Sequence, residues 1–100
     1  PEASSRNIYY SQSLWDAGMA YSMYAFLKKN KGMKIFHCVG KFHSDEKLGT
    51  AAQLQSYNKR LKILNISCFS DKSFANPDWQ QFSNLGDYII LTNPDLKRTY

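Results

Sequence analysis

The chain has little of what marks the commoner chemistries. No apolar run approaches the ~18 residues that would carry a helix across a membrane. The only cysteines are Cys38 and Cys68. They form no Cys-x-x-Cys pair and no zinc-type Cys/His spacing. A single bridge between them depends on geometry that spacing does not reveal, so they leave the redox compartment open. There is no HExxH, GxSxG, GxGxxG or glycine-rich phosphate loop, and no Ser-His-Asp set can be assembled from spacing. Acidic residues are few, 8 against 13 basic ones, giving a net charge of +5. No RNP, zinc-finger or helix-turn-helix pattern accompanies that charge. The clusters at Lys28, Lys29, Lys31 and Lys34, and at Lys59, Arg60 and Lys62, therefore read as a solvated face rather than a nucleic-acid surface. Internal repeats and low-complexity tracts are absent, and no signal peptide is visible. Pro1 is not a natural start, and the chain reads as cut from something longer.

What is present suits one small domain. One hundred residues, 43% hydrophobic and 15% aromatic, can build a core, with stability expected to be marginal at this size. Residues 1–8 read as a polar lead-in. A helix is expected next, capped at Ser11 or Ser13 and ended by Asn30 and Gly32. It is apolar on more than one side, so it should pack against more than a single sheet face. Met33–Val39 reads as a first strand, with Gly40 allowing a sharp bend and His43 standing just beyond. A loop over 40–49 leads to a short helix at Thr50–Asn58, with Thr50 as its cap and Ala51, Leu54 and Tyr57 inward. Leu61–Phe69 reads as a second strand with Asn65 in its middle. Asp78–Asn84 reads as one or two helical turns with Trp79 and Phe82 inward. Tyr88–Thr92 reads as a third strand, stopped by Asn93, Pro94 and Asp95. Helices alternating with apolar strands imply an α/β fold with a mostly parallel central sheet in a three-layer arrangement. Three strands leave edges that more chain, or a partner, would have to cover.

Ligands in open α/β sheets bind beyond the carboxyl ends of the strands. The first helix, antiparallel to the first strand, brings its amino end to that rim. Gln12 and Asp16, spaced i, i+4, share a helix face that Met19, Ala20 and Met23 continue. The rim then collects Gln12, Asp16, His37 or His43, Asp71 and Asn93, with Gly40 beside them. Such a set could ligate a metal, orient a histidine or bind a polar ligand.

Each of these residues also has an ordinary explanation. Asp16 is either a carboxylate favoured by the helix dipole or an acid that demands a partner within an apolar helix. His37 reads as a hydrogen-bonded core histidine, whereas His43 is better placed for function. Met19 and Met23 read as core residues, with thioethers also able to line an apolar pocket. Tyrosine can ligate ferric haem, and Tyr9 and Tyr10 lie near the rim. The two cysteines read as buried strand thiols.

The stretch QSLWDAGMAYSM, followed by VGKFHS, resembles the ChaN-like haem-binding uptake family, within a wider superfamily that includes TraB and Tiki proteins. The family pattern is a helix of the form Q-x-x-W-D-x-x-M-A, then an apolar strand ending G-x-x-H. Here it is carried by Gln12, Trp15, Asp16, Met19 and Ala20, then Gly40 and His43, and the ending DYIILTNP is similar to the family's last strand. The resemblance implies that residues 1–100 form the carboxyl-terminal part of a single larger α/β domain. It also implies haem or iron handling and a bacterial envelope location, in the periplasm or as an outer-membrane lipoprotein. His43 corresponds to the superfamily's metal or catalytic histidine. With Gly40, Gln12, Asp16 and Met19 it would contact haem, or a divalent metal in the alternative reading. The superfamily's earlier Gly-Glu-x-x-His-type motif is absent from these residues, so a missing amino-terminal half or a second protomer, as in a homodimer, is expected to complete the site.

Three functions compete. The first is binding and handover of haem in bacterial uptake, without catalysis, at an apolar pocket with His43 near the iron or a propionate. The second is a metal-dependent hydrolase of the TraB/Tiki type, in which His43 and Asp16 converge on a divalent metal. The third is a non-catalytic interaction module, in which Asp16 is consumed by a structural hydrogen bond.

Overall fold

The computed structural model describes residues 2–99, with the side chains of residues 2–4 and 42 outside the description. Pro1, the first residue of the expected lead-in, also lies outside it.

Helix α1 spans Glu2–Lys29, 28 residues, and is about 42 Å long at ~1.5 Å per residue. It begins nine or more residues before the expected serine caps, so the polar lead-in is helix. The physical reason is that residues 2–17 contain no proline or glycine, and polarity alone does not stop a helix. The helix ends as its sequence suggests. The backbone N–H and the side-chain Nδ2 of Asn30 both donate to the Phe26 carbonyl at 2.9 Å, and Gly32 takes a left-handed φ of +83°.

The expected first strand, Met33–Val39, is extended chain without a strand partner among the described residues. Residues 33–38 are exposed, His37 and Cys38 among them, so His37 is not a core histidine here. A strand is defined by its neighbour, and this segment has none. Two short 3-10 turns follow, Lys41–His43 and Asp45–Lys47. Helix α2 then covers Thr50–Tyr57.

Helices α1 and α2 pack side by side. Asp16, Ala20 and Tyr24 recur at four-residue spacing on α1, and Thr50, Leu54 and Tyr57 share one face of α2. Thr50 bonds Asp16, and the Tyr24 and Tyr57 rings stack at 5.4 Å. The contacts advance in the same direction along both helices, so the two run parallel. Ala20 and Leu54 are buried, and Ala20 lacks the side chain that would hold the helices apart.

The sheet has two parallel strands, β1 (Ile66–Ser70) and β2 (Tyr88–Thr92), in register from Ile66↔Tyr88 to Ser70↔Thr92. The α/β class holds, with two strands where three were expected. The second expected strand starts at Ile66 rather than Leu61; the Asn65 N–H goes to the Asp87 carboxylate instead of a neighbouring strand's carbonyl. The third has the expected bounds. The crossover carries the single turn α3 (Trp79–Phe82). Phe82 is buried and meets Phe69 edge-on at 5.2 Å, whereas Trp79, expected inward, is 53% exposed.

Period-2 alternation splits the sheet into two faces. Ser67, Phe69, Ile89 and Leu91 face inward. The loop over 41–47 covers this face, with Lys41 Nζ 4.9 Å from the Phe69 ring centre and Ser67 Oγ donating to Asp45 Oδ1 at 2.7 Å. Ile66, Cys68, Tyr88 and Ile90 form the open face, so Cys68 is an exposed free thiol rather than a buried one. Among the described residues only Ala20, Leu54 and Phe82 are buried apolar residues. The radius of gyration, 15.9 Å, exceeds the ~13 Å of a compact domain of this length.

Candidate functional site

The apolar face of α1 carries one buried acid, Asp16, and the fold supplies its partners from two other places. The turn Lys41–His43 brings His43 Nδ1 to 2.5 Å from Asp16 Oδ1, 27 residues away in sequence. The first residue of α2, Thr50, donates its hydroxyl to the same oxygen at 2.9 Å. Thr50 is therefore not a cap, as its position suggested; Gly49 holds the cap position, and no side chain caps the helix. The carboxylate lies at the amino end of α2, where the helix dipole favours negative charge.

Gly49 is what lets these groups meet. Its φ of +55° is a left-handed value, and an added Cβ would lie 2.8 Å from the His43 carbonyl oxygen and 2.9 Å from Asp16 Oδ2. Gly40, expected to supply the sharp bend, has an ordinary φ of −58° and meets only the His43 ring, 3.8 Å from where a Cβ would stand. The glycine whose freedom matters sits after the histidine.

The loop that carries His43 is fastened on its far side. Buried Asn65 donates Nδ2 to the carbonyls of Ser44 at 2.7 Å and Leu85 at 3.0 Å. The Glu46 N–H donates to Leu85 O at 2.8 Å, and Lys47 pairs with Asp87 at 2.9 Å. Lys41 also pairs with Asp45. Glu46 and Lys47 both hold positive φ, 60° and 55°, a conformation that non-glycine residues adopt only when their surroundings impose it. The Asn65 N–H donates to Asp87 Oδ2 at 2.8 Å; that bond, then the Lys47 ammonium, holds the Asp87 carboxyl below its ordinary range.

The Asp16 bond occupies one ring nitrogen of His43. With Nδ1–H donating to the carboxylate, a neutral imidazole keeps its lone pair on Nε2. Nε2 has no hydrogen bond among the described residues. Gln12 lies one turn before Asp16 on the same face, and its Oε1 is a buried acceptor without a partner. Met19 is half-buried just after Asp16 on that face. Tyr9, seven residues before Asp16, extends the same stripe and is exposed, whereas Tyr10 points elsewhere around the helix.

Asp71 and Asn93 do not join this cluster. Asp71 accepts from the Ser73 hydroxyl and N–H, which lower its pKa, and Asn93 accepts from the Asp95 N–H. No group of three or more His, Cys, Asp or Glu able to hold a metal occurs among the described residues. A groove at the far end of α1 is lined by Tyr24, Leu27, Met33 and Tyr57, and a second by Ala51, Gln55 and Ile63; neither includes His43. No helix among the described residues is long and apolar enough to cross a membrane.

A buried helix carboxylate thus anchors a loop imidazole by Nδ1 in an α/β chain. The chain belongs to the family described as haem-binding uptake, Tiki superfamily, ChaN, whose model matches residues 1–54. That stretch contains Gln12, Asp16, Met19, Gly40, His43, Gly49 and Thr50. No curated protein and no solved structure matches the chain.

Of what a haem needs, the site supplies the His43 imidazole and the apolar surface of Met19 and the 57% exposed Trp15, whereas neither groove includes His43 and the buried Gln12 oxygen is an acceptor for which haem propionates bring no donor.

Proposed function

We propose that this chain binds haem for bacterial uptake at the surface formed by the amino half of α1 and the 40–49 loop. His43 Nε2 is the iron-facing donor, and Gln12, Met19 and Gly40 border the ring. The observation that carries this reading is the Asp16–His43 contact, which spends a buried carboxylate on fixing the direction of one imidazole. Haem supplies the iron centre and a flat apolar surface. The chain's part is to bind and orient it, so transfer rather than catalysis is the activity.

The apolar surface left open on the sheet and along 33–39 is covered in the working protein by further polypeptide, an amino-terminal half or a second protomer. A location in the bacterial envelope, periplasmic or as a lipoprotein, accords with a role in uptake. Titration of haemin into the chain, followed at the Soret band, tests the reading. A saturable shift is expected, weakened at least tenfold in His43→Ala. Equal binding by both chains would overturn it.

A further inference from the structure

We propose that the groove at the far end of α1, which excludes His43 and is independent of the haem reading, is a docking site for an acidic polypeptide segment anchored by an apolar side chain. The groove has a volume of about 580 Å³ and an apolar floor of Tyr24, Leu27, Met33, Tyr57 and Leu61. Lys28 and Lys31 stand among its lining residues. Lys29, Lys34, Lys59, Arg60 and Lys62 each adjoin a lining residue in sequence. The packing of α2 on α1 thus brings the two basic clusters of the sequence to one groove.

No acid answers these cations. Residues 17–44 and 47–70 contain no Asp or Glu. None of the seven cations has an ion-pair partner among the described residues; Lys28 lies over the Tyr24 ring at 5.9 Å. The dipole of α1 accounts for Lys28 and Lys29 in its last turn, but the other five lie outside any helix. An unopposed field of one sign attracts a partner of the other, and the apolar floor gives that partner somewhere to seat a side chain. Nucleic acid would need open rings on which to stack bases. Here Tyr24 and Tyr57 stack on each other at 5.4 Å, and Tyr21 meets Tyr57 edge-on at 6.0 Å. A bilayer presents a plane, which does not fill a concave floor. A second copy brings no acidic patch, because Asp16, Asp45, Asp71 and Asp87 are bonded within their own chain. An acidic segment with a large apolar residue supplies both the charge and the anchor.

A fluorescein-labelled peptide of glutamates around a Leu-Trp pair is titrated with the chain and followed by anisotropy. Saturable binding is expected, tighter at low salt than at high salt. Exposed lysines are then neutralised in two pairs, with circular dichroism confirming each fold. Lys28→Gln with Lys31→Gln weakens binding about fivefold. Lys72→Gln with Lys97→Gln removes the same charge away from the groove lining and leaves binding unchanged. A peptide with serines in place of the Leu-Trp pair binds about tenfold more weakly. In nitrogen-15 NMR the amides of Leu27, Met33 and Leu61 shift on binding. Equal loss in both lysine pairs, or equal binding of the two peptides, would reveal attraction to net charge alone and overturn the proposal. So would a preference for single-stranded oligothymidylate or for phosphatidylglycerol vesicles, amide shifts confined to the open sheet face, or no saturable binding of the acidic peptide.

Discussion

His43 Nδ1 lies 2.5 Å from Asp16 Oδ1, and the two residues reach each other only because Gly49 has no side chain. Gly49→Ala therefore meets two obstacles at once, a left-handed φ of +55° and contacts under 3 Å to two oxygens. It should destabilise the chain by roughly 1–3 kcal/mol and loosen His43. Urea unfolding gives the first effect and the His43 tautomer the second. Wild-type behaviour in both would show that the loop can shift at no cost.

Asn65 ties the histidine loop to the sheet. It is buried, and its side chain satisfies two carbonyls, those of Ser44 and Leu85. Asn65→Ala removes one bond from each, and each keeps a backbone donor, the Lys47 N–H on Ser44 and the Glu46 N–H on Leu85, so the loss is about 0.5–1.5 kcal/mol per bond. The urea midpoint should fall, and hydrogen exchange of the 41–47 loop should rise more than that of α1. A uniform change would mean that the loop is not fastened through this residue.

Acid should weaken the same junction. The Asn65 N–H and Lys47 hold the Asp87 pKa below its ordinary value. A carboxylate depressed in the folded chain adds stability above the unfolded value, near ~3.9, and that stability is lost as pH falls through the folded value. Urea midpoints should therefore drop on acidification below about pH 4, and drop less in Asp87→Asn. Because Asp87 is about a third exposed, the difference should be small and should shrink further in high salt. Parallel acid profiles for the two chains would contradict the assignment.

Open apolar surface should make the chain associate. Phe36 is 85% exposed in an extended segment without a strand partner, and Ile90 is 49% exposed on the open sheet face. Both are features that edge pairing exploits. Light scattering should show a mass that rises with concentration and that falls in Phe36→Asp. A strict monomer at all concentrations would place the covering polypeptide elsewhere.

How much of this was legible follows from how local each signal is. Tyr88–Thr92 could be bounded from sequence because a β-rich run stands between Gly86 and Pro94. Gln12 and Asp16 could be placed on one face, and Gly40 and His43 near them, because helical spacing and a strand-end turn are local patterns. Met33–Val39 looked the same as a strand, yet pairing is a property of a neighbour, and no neighbour is present among the described residues. Thr50 carried a cap signal, and only the packing of α2 on α1 turned its hydroxyl toward Asp16. Asn65 read as an oddity within a strand; its partners are 20 and 21 residues away and left no mark in the local sequence. Gly49 gave no signal at all, because what requires glycine there is the approach of two distant oxygens.

The claim that His43 Nε2 is the haem donor is tested most directly by chemical rescue. His43→Gly is titrated with haemin, and free imidazole is then added while the Soret band is followed, with His37→Ala as the control. The account predicts that His43→Gly loses the wild-type band, that imidazole restores it, and that His37→Ala behaves as wild type. A wild-type band in His43→Gly before imidazole is added would contradict the account.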